Sequence, residues 1–258
     1  MKKDKLNYGN WISKNLIIAH GLILFVLLLL SLTILINIIL GIIFIVLSVF
    51  LIISLIYIIY AHYQFSPSGN DIQNKIYNLI LDHIDFNGFG SIIDIGCGNG
   101  PLVIKLAKKY QKAKITGIDY WGGLWNYSKK ICEINAVNEG VQDRVIFIKA
   151  SASSLPFPDE SFDLAISNFV FHEVRDTKDK RKVIKEALRI VKKDGKFIFQ
   201  DLFLSKYYYG NLDELLHEIK SWGILKVNFI NSSEADFIPK SLKLPFMVGS
   251  IGILYGIK

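Results

Sequence analysis

Residues 92–100 read Ile92-Ile93-Asp94-Ile95-Gly96-Cys97-Gly98-Asn99-Gly100, an apolar run followed by three glycines at alternating positions. The apolar run predicts a buried strand, and the apolar spacing after Gly100 predicts a helix. Glycine permits positive φ and lets the backbone approach a ligand closely. Because ligands of open α/β sheets lie at the carboxyl ends of the strands, residues 96–100, called here the glycine loop, are a candidate binding site.

The alternation of strands and helices extends along most of the chain after Ser66. It predicts strands at Ser91–Ile95, Lys114–Asp119, Arg144–Ala150, Phe162–Asn168 and Lys196–Phe203. Further helices are predicted at Asp71–Ile84, Leu124–Asn138, Lys178–Lys192 and Asn211–Trp222. Two late strands, Leu225–Ile230 and Phe246–Ile257, have no crossover helix between them. The pattern predicts an α/β fold with a doubly wound, mostly parallel sheet and an antiparallel C-terminal edge strand.

Asp119 ends the second predicted strand. A carboxylate at this position can accept hydrogen bonds from both hydroxyls of a ribose. A dinucleotide site is the competing interpretation, but its third glycine position is occupied here by Pro101, so the spacing does not fit. A purely structural turn is the other alternative, and the placement of Asp119 argues against it.

These residues closely resemble the seven-stranded S-adenosylmethionine-dependent methyltransferases. Asp94–Gly100 resembles the first motif of that family, and Gly117–Asp119 resembles its second-strand acid. Residues 155–163, 169–174 and 191–196 continue the resemblance around the fourth and fifth strands. It is closest to the small-molecule branch that includes quinone-biosynthesis methyltransferases. The resemblance implies a seven-stranded sheet, S-adenosylmethionine as the cofactor and methyl transfer as the activity.

The resemblance also implies roles for individual residues. The glycine loop would border the methionyl part of the cofactor, Asp94 would support the loop and Asp119 would bind the ribose. The full set of implied cofactor-binding residues is Asp94, Gly96, Cys97, Gly98, Gly100, Asp119, Tyr120, Trp121, Ser151, Ala152 and Asn168. Tyr120 and Trp121 would lie beside the adenine, although Trp121 packed on the sheet edge is the alternative. The third strand ends in Ser151-Ala152, where the family often has an Asp that contacts the adenine amino group.

His172 and Glu173 are the candidate catalytic residues, because they follow the fourth strand and can accept a proton near neutral pH. A packed, hydrogen-bonded His172 without a catalytic role is the alternative. Methyl transfer needs no metal, and we predict none. We expect a small-molecule or lipid-soluble methyl acceptor. A catalytically inactive domain that serves as a membrane-tethered binding or assembly module is the alternative function.

No Asp, Glu, Lys or Arg occurs from Asn15 to Asn70, and Leu16–Tyr60 is almost purely apolar. That length suits two crossings of a bilayer, which predicts a transmembrane helical hairpin with its turn at Asn37–Gly41. The lysines that precede the first span put both ends in the cytoplasm. A re-entrant hairpin is the alternative. We therefore predict two parts, 1–63 with the basic segment and hairpin, and a cytoplasmic methyltransferase domain at 64–258.

The formal net charge is +7, of which residues 1–14 contribute +3 through four lysines and one aspartate, Lys2, Lys3, Asp4, Lys5 and Lys14. This small excess of positive charge is consistent with attraction to an anionic membrane surface. The absence of a Lys/Arg stripe in the sequence argues against nucleic acid as a partner. The two cysteines, Cys97 and Cys132, have no zinc-site spacing. The sequence gives no indication of oligomeric state.

Overall fold

The computed structural model describes residues 6–122 and 127–258. The predicted interfacial lysines Lys2, Lys3 and Lys5, and the predicted helix start at Leu124, lie outside the described residues. The chain divides into two compact units. One is Gly9–Lys75, and the other joins the described residues up to Tyr8 with Ile76–Lys258. The sequence-based boundary after residue 63 stays a prediction.

The unit Gly9–Lys75 contains two long apolar helices, α1 (Lys14–Ser31) and α2 (Ile38–Phe65), joined by a 3-10 turn at Leu32–Leu35. Both are long and apolar enough to cross a membrane by length and composition. At about 1.5 Å per residue, α1 spans roughly 27 Å and α2 roughly 42 Å. A bilayer core is about 30 Å thick, so α2 exceeds what one crossing requires.

The turn of the hairpin differs from the prediction of Asn37–Gly41. The chain turns at residues 32–37, and Asn37 is the N-cap of α2, with its Oδ1 accepting from the Leu40 N–H at 3.1 Å. Gly41 lies inside α2, where a Cβ would come 2.3 Å from the Cβ of Ile34. Asn37 therefore caps the second helix, and Gly41, which has no side chain, allows Ile34 of the turn to pack closely against that helix.

The two ends of the hairpin lie together. The N–H of Trp11 donates to Oε1 of Gln73 at 3.1 Å, and the rings of Trp11 and Phe65 are 5.5 Å apart. Nδ2 of Asn10 donates to the carbonyl of His62 at 3.0 Å. The segment before α1 is therefore bonded to the end of α2 and to the segment after it, so the two outer ends of the hairpin lie side by side.

The second unit contains a seven-stranded sheet in the order β3-β2-β1-β4-β5-β7-β6. Its strands are β1 (Phe89–Ile95), β2 (Lys112–Asp119), β3 (Val145–Lys149), β4 (Phe162–Asn168), β5 (Val191–Asp201), β6 (Lys226–Ile230) and β7 (Gly252–Ile257). The pairs among β1 to β5 are parallel, and β7 is antiparallel to both β5 and β6. The predicted α/β fold is confirmed, and the antiparallel strand lies one place in from the sheet edge.

Helices α3 to α8 connect and cover the strands. They are α3 (Ile72–Asp82), α4 (Pro101–Lys109), α5 (Lys129–Asn138), α6 (Lys180–Arg189), the single turn α7 (Lys206–Tyr209) and α8 (Leu212–Ser221). A buried core combines apolar residues of the central strands with those of α6, α7 and α8, and α4 and α5 also bury apolar residues. Helix α5 begins after Ser128, whose Oγ accepts from the Ile131 N–H, so the described helix starts later than predicted.

The last strand is shorter than the predicted Phe246–Ile257. Residues 244–249 form a tight turn, in which the N–H groups of Met247 and Gly249 donate to the carbonyl of Leu244 at 2.9 and 3.0 Å. Strand β7 therefore begins only at Gly252, opposite Asp201 of β5. An apolar composition alone did not distinguish this turn from an extended segment.

The strand order changes direction at β1, which pairs with β2 on one side and with β4 on the other. Parallel strands put their carboxyl ends at one edge of the sheet, and connections from β1 and β4 leave that edge on opposite sides. Such a switch point forms the crevice in which open α/β sheets bind ligands. We call it the carboxyl edge.

Candidate active site

The glycine loop leaves β1 in a conformation that requires glycine. Gly96, Gly98 and Gly100 have φ values of +78°, +56° and +81°. A Cβ on Gly96 would come 2.0 Å from Cγ2 of Val170, the connection that follows β4. The N–H groups of Gly96 and Cys97 both donate to the carbonyl of Ile118 at 2.8 Å, which fixes the loop against the end of β2.

Asp119 joins the end of β2 to this loop. Its Oδ2 accepts from the N–H of Gly98 at 2.8 Å, and its Oδ1 accepts from the N–H of Trp121 at 2.7 Å. A carboxylate has about four lone-pair sites, so both oxygens retain capacity to accept from a ligand hydroxyl. The sequence predicted that these two strand ends lie together, and the geometry brings them within hydrogen-bond distance.

The site contains two acids buried close to each other. Asp94 is fully buried at the end of β1, and burial with the nearby charge of Asp119 raises its pKa to about 8. Burial also raises the pKa of Asp119, by more than the backbone N–H groups of Trp121 and Gly98 lower it. Among the described residues neither acid takes part in a salt bridge. Asp94 is therefore largely protonated at neutral pH when no cation is near, and a positively charged ligand would stabilise the ionised forms of both acids.

Several buried polar atoms face no partner within the described residues. They are Oδ1 of Asp94, Nδ2 of Asn99 and Oδ1 of Asn168 at the end of β4. A buried polar atom without a partner costs about 1–3 kcal/mol. Groups of this kind next to a glycine loop fit a ligand that carries both donors and acceptors.

Aromatic side chains surround the outer side of the glycine loop. Nε1 of Trp121 donates to the carbonyl of Gly98 at 2.8 Å, and the ring of Tyr127 lies 3.4 Å from where a Cβ on Gly98 would be. Trp121 adopts a positive φ of 44°, which is uncommon outside glycine. Tyr120 is exposed, with Nζ of Lys149 5.4 Å from its ring centre. Trp121 thus contacts the loop, and Tyr120 is exposed beside Lys149, so the position of either ring against an adenine stays a prediction.

The end of β3 carries the two other predicted cofactor residues. Oγ of Ser151 donates to Oδ2 of Asp176 at 2.7 Å, while Ala152 is buried in the core. The backbone here stays close to Asp119, because the N–H of Ala150 donates to the carbonyl of Asp119 at 3.0 Å. Ser151 therefore lies at the same sheet edge as Asp119, but its hydroxyl already has a partner.

Cys97, within the glycine loop, has a buried side chain, and burial, with the neighbouring Cys132, raises the pKa of its thiol. Sγ of Cys132 donates to the carbonyl of Gly98 at 3.1 Å. Both cysteines therefore support the loop from the side of the core.

His172 and Glu173 form a charged cluster with a second acid, Asp201. Nδ1 of His172 lies 2.5 Å from Oδ1 of Asp201, and its Nε2 lies 3.5 Å from Oε1 of Glu173. Burial alone would lower the pKa of His172, but the carboxylate of Asp201 outweighs it and raises the pKa to about 10. The hydrogen bond from His172 lowers the pKa of Glu173. At neutral pH the cluster holds a protonated imidazole between two carboxylates.

Asp201 is the residue of this cluster that sequence reasoning missed. It is fully buried at the end of β5, and its Oδ2 accepts from the N–H groups of Phe171 at 2.8 Å and Val170 at 3.1 Å. Burial would raise the pKa of Asp201, but the charge of His172 holds it below its ordinary value. The available signal was an acid at the end of an apolar strand, Lys196–Phe203, on the edge where ligands bind.

The comparisons with known proteins agree with this geometry. Residues 93–199 match the family model described as a methyltransferase domain. The chain is 31% identical over 130 residues to an uncharacterized methyltransferase, YcgJ, of Bacillus subtilis (strain 168), covering 49% of this chain and 44% of that protein. It is 35% identical over 111 residues to the ubiquinone/menaquinone biosynthesis C-methyltransferase UbiE of Rickettsia massiliae (strain Mtu5), covering 42% of each.

Among solved structures, the fold is similar to geranyl diphosphate C-methyltransferase from Streptomyces coelicolor A3(2). The TM-score is 0.53 at 13% identity, and the match covers 72% of this chain and 79% of that one. That structure is a complex with Mg²⁺, geranyl diphosphate and S-adenosyl-L-homocysteine. The chain spans less than half the length of the two curated relatives described above. The comparisons confirm the fold, and residues 93–199 match a methyltransferase domain model.

Proposed function

We propose that this protein transfers a methyl group from S-adenosylmethionine to a small or lipid-soluble acceptor at a membrane surface. The observation that carries the proposal is the junction of two strand ends, in which the N–H of Gly98 donates to Oδ2 of Asp119 at 2.8 Å. This junction supports the proposal because it joins the glycine loop to an acid whose oxygens can accept from the hydroxyls of a ribose. The matched methyltransferase domain covers the same residues.

The charge and polarity of the crevice support this cofactor. S-adenosylmethionine, when bound, supplies a methyl group on a positively charged sulfonium that transfers by in-line displacement. Asp119 accepts hydrogen bonds from the ribose, and the loop from Gly96 to Gly100 borders the methionyl group. Asp94 is a buried acid with an unpartnered oxygen, so it gains from a nearby cation. Trp121 and the end of β3 at Ser151 and Ala152 border the adenosine.

The cluster of His172, Glu173 and Asp201 acts on the acceptor side. Glu173 is half exposed and ionised at neutral pH, since His172 lowers its pKa, so Glu173 accepts the proton that the acceptor releases. His172 is held by Asp201 and carries a positive charge, which favours an anionic form of the acceptor oxygen or carbon. Neither residue needs a metal for these roles.

The membrane part of the proposal rests on α1 and α2. Two helices of this length and composition, with their ends bonded together, support a two-span anchor. The lysines before α1 support a cytoplasmic position for the methyltransferase domain. Such an anchor keeps the domain beside lipid-soluble acceptors such as quinone precursors, isoprenoids or phospholipid headgroups.

Calorimetry on the detergent-solubilised full chain tests cofactor binding. We expect binding of S-adenosylmethionine and competition by S-adenosylhomocysteine. Asp119→Ala should weaken both, whereas Asp163→Asn should not, because Asp163 bonds Ser91 and Lys192 at the opposite end of the sheet. Comparing methylated lipids and quinones in cells with and without the protein then identifies the acceptor. Absence of cofactor binding to the folded protein would contradict the proposed enzyme.

The second candidate function is a catalytically inactive, membrane-tethered assembly module. The occupied hydroxyl of Ser151, which bonds Asp176 where related enzymes often place an acid, is the observation that favours it. The two functions differ in one measurable respect. An inactive module would leave the methylated lipids and quinones of the cell unchanged when the gene is removed, whether or not the cofactor binds.

A further inference from the structure

The connection between β6 and β7 carries an exposed apolar turn. Residues 244–247, Leu-Pro-Phe-Met, contain no charge, and we call them the apolar tip. The side chain of Phe246 is 73% exposed. Because two hydrogen bonds to the carbonyl of Leu244 close the turn, Phe246 is held outward by a defined backbone conformation.

The apolar tip leaves the same edge of the sheet as the candidate active site. Gly252, which begins β7, pairs with Asp201 at the end of β5, and the N–H of Leu204 donates to the carbonyl of Ser250 at 3.1 Å. The short helix α7 follows Leu204 on this edge. It carries Tyr207, which is 89% exposed.

Helix α7 also connects this surface to the acceptor side of the site. The ring of Tyr208 lies 5.4 Å from that of His172 and 5.0 Å from that of Tyr207. An acceptor that passes Tyr207 and Tyr208 therefore reaches the charged cluster directly. Tyr207 and Tyr208 thus link the exposed surface of α7 to His172, and the apolar tip leaves the same edge of the sheet.

Lysines flank the exposed aromatic residues. Lys206 precedes Tyr207, and Lys240 and Lys243 precede the apolar tip. Nζ of Lys243 lies 3.8 Å from Oε2 of Glu234, which is a long ion pair on the surface. Aromatic rings with neighbouring lysines are the composition found where proteins meet the boundary between headgroups and acyl chains, since the rings enter the boundary and the ammonium groups meet anionic lipids.

We propose that the apolar tip and Tyr207 insert into the headgroup boundary of a lipid bilayer, so that the acceptor enters the site from the lipid. The inference deepens the proposed function, because it assigns the acceptor to the lipid phase. Its occupant is a bilayer rather than a protein partner. The same chain carries two helices able to cross a bilayer, and the tip is uncharged with lysines on its flank.

Fluorophore labelling of the full chain in vesicles of phosphatidylcholine and phosphatidylglycerol tests the proposal. Labels are attached at Phe246→Cys and Tyr207→Cys, with Phe89→Cys as the matched control. Phe89 is 57% exposed at the start of β1, at the opposite edge of the sheet. The native cysteines are buried, and labelling of the unmutated chain measures their background.

We expect quenching by aqueous iodide to be roughly fivefold slower at 246 and 207 than at 89, because the headgroup boundary excludes the ion. Lipids with a quencher near the headgroup should quench the first two labels and not the third. Adding Phe246→Asp should return the label at 207 to the iodide accessibility of the control, since the charge opposes insertion. Calorimetry with S-adenosylmethionine on each variant reports that the fold and the cofactor site remain intact.

Equal iodide accessibility at 246 and 89 in vesicle-bound protein would overturn the proposal. Protection at 246 that appears in detergent without lipid and grows with protein concentration would also overturn it, because a second copy would then cover the tip. Cofactor binding is measured separately. If the labels are accessible to iodide in a protein that binds the cofactor, only the proposed membrane insertion is rejected. If the labels are protected but the protein does not bind the cofactor, only the proposed methyltransferase activity is rejected.

Discussion

The close approach of Gly96 to Val170 makes a quantitative prediction for Gly96→Ala. Alanine at a φ of +78° costs about 1–2 kcal/mol. The new Cβ would also lie 2.0 and 2.6 Å from the two methyl groups of Val170. Valine cannot rotate away easily because it is branched at Cβ, so overpacking adds about 1–3 kcal/mol. The total expected loss of stability is about 2–5 kcal/mol.

Gly140→Ala is the matched control. Gly140 has a similar φ of +68°, but nothing lies within 4 Å of a Cβ there. It should show only the backbone strain. The difference between the two variants is therefore the overpacking of about 1–3 kcal/mol, or roughly 2–12 °C in melting temperature for a unit of this size.

Thermal unfolding of the full chain in detergent, followed by near-ultraviolet circular dichroism, measures this difference. Combining Gly96→Ala with Val170→Ala should recover at least about 1 kcal/mol relative to the sum of the single changes. Gly96→Ala should also weaken cofactor binding, and Gly140→Ala should not. If Gly96→Ala melts no lower than Gly140→Ala, the glycine loop does not contact Val170 and the described geometry of the crevice is wrong.

Three other predictions concern buried hydrogen bonds and charges. Asp119→Asn should weaken S-adenosylmethionine binding by about 1–3 kcal/mol in calorimetry, because the amide replaces one of the two accepting oxygens with an NH2 donor and so leaves a backbone N–H or a ribose hydroxyl without an acceptor; unchanged affinity would show that this acid does not bind the ribose. The pKa of His172 is raised from 6.5 to about 10 and that of Asp201 is lowered from 3.8. The pair should therefore stabilise the fold fully between pH ~3.8 and pH ~6.5. The stabilisation should decrease as the pH rises from there through ~10, where the folded protein releases the proton of His172, and as the pH falls below ~3.8, where Asp201 becomes protonated. Nuclear magnetic resonance should find no titration of His172 between pH ~6 and ~8 in the unmutated chain and a lowered pKa of His172 in Asp201→Asn, where only Glu173 still opposes the effect of burial; identical curves would refute the pairing. Asn135→Ala should lower stability by about 1–3 kcal/mol, since its side chain bonds both the N-terminal segment and the glycine loop, whereas Val137→Ala on the exposed side of the same helix should change the melting temperature little.

The features that the sequence predicted well depend on local patterns. The strand before Gly96 is a continuous apolar run, and alternating glycines followed by Pro101 mark a turn and a helix start. Helix α6 follows from apolar residues at helical spacing. Parallel topology then requires Asp119 to lie at the same edge as the glycine loop, so a pattern along the chain predicts proximity in space.

Features that depend on contacts between distant segments were predicted less well. Asn37 caps a helix instead of starting the hairpin turn, because the preceding residues tighten into a 3-10 turn. Phe246 lies in a turn closed by backbone bonds, although its neighbours suggest a strand. In both cases one or two hydrogen bonds determine the backbone conformation, because the intrinsic preference of the local sequence for helix or strand amounts to no more free energy than those bonds.

The amino-acid sequence by itself determined the class of fold, the two long apolar helices and the edge at which the candidate site lies, because periodicity and glycine placement act over a few residues. Only the tertiary structure identified Asp201 as the partner of His172 and Val170 as the neighbour of Gly96. Those pairs come from strands and connections far apart in the chain. Their energies come from burial and hydrogen-bond distance, and neither exists until the sheet has formed.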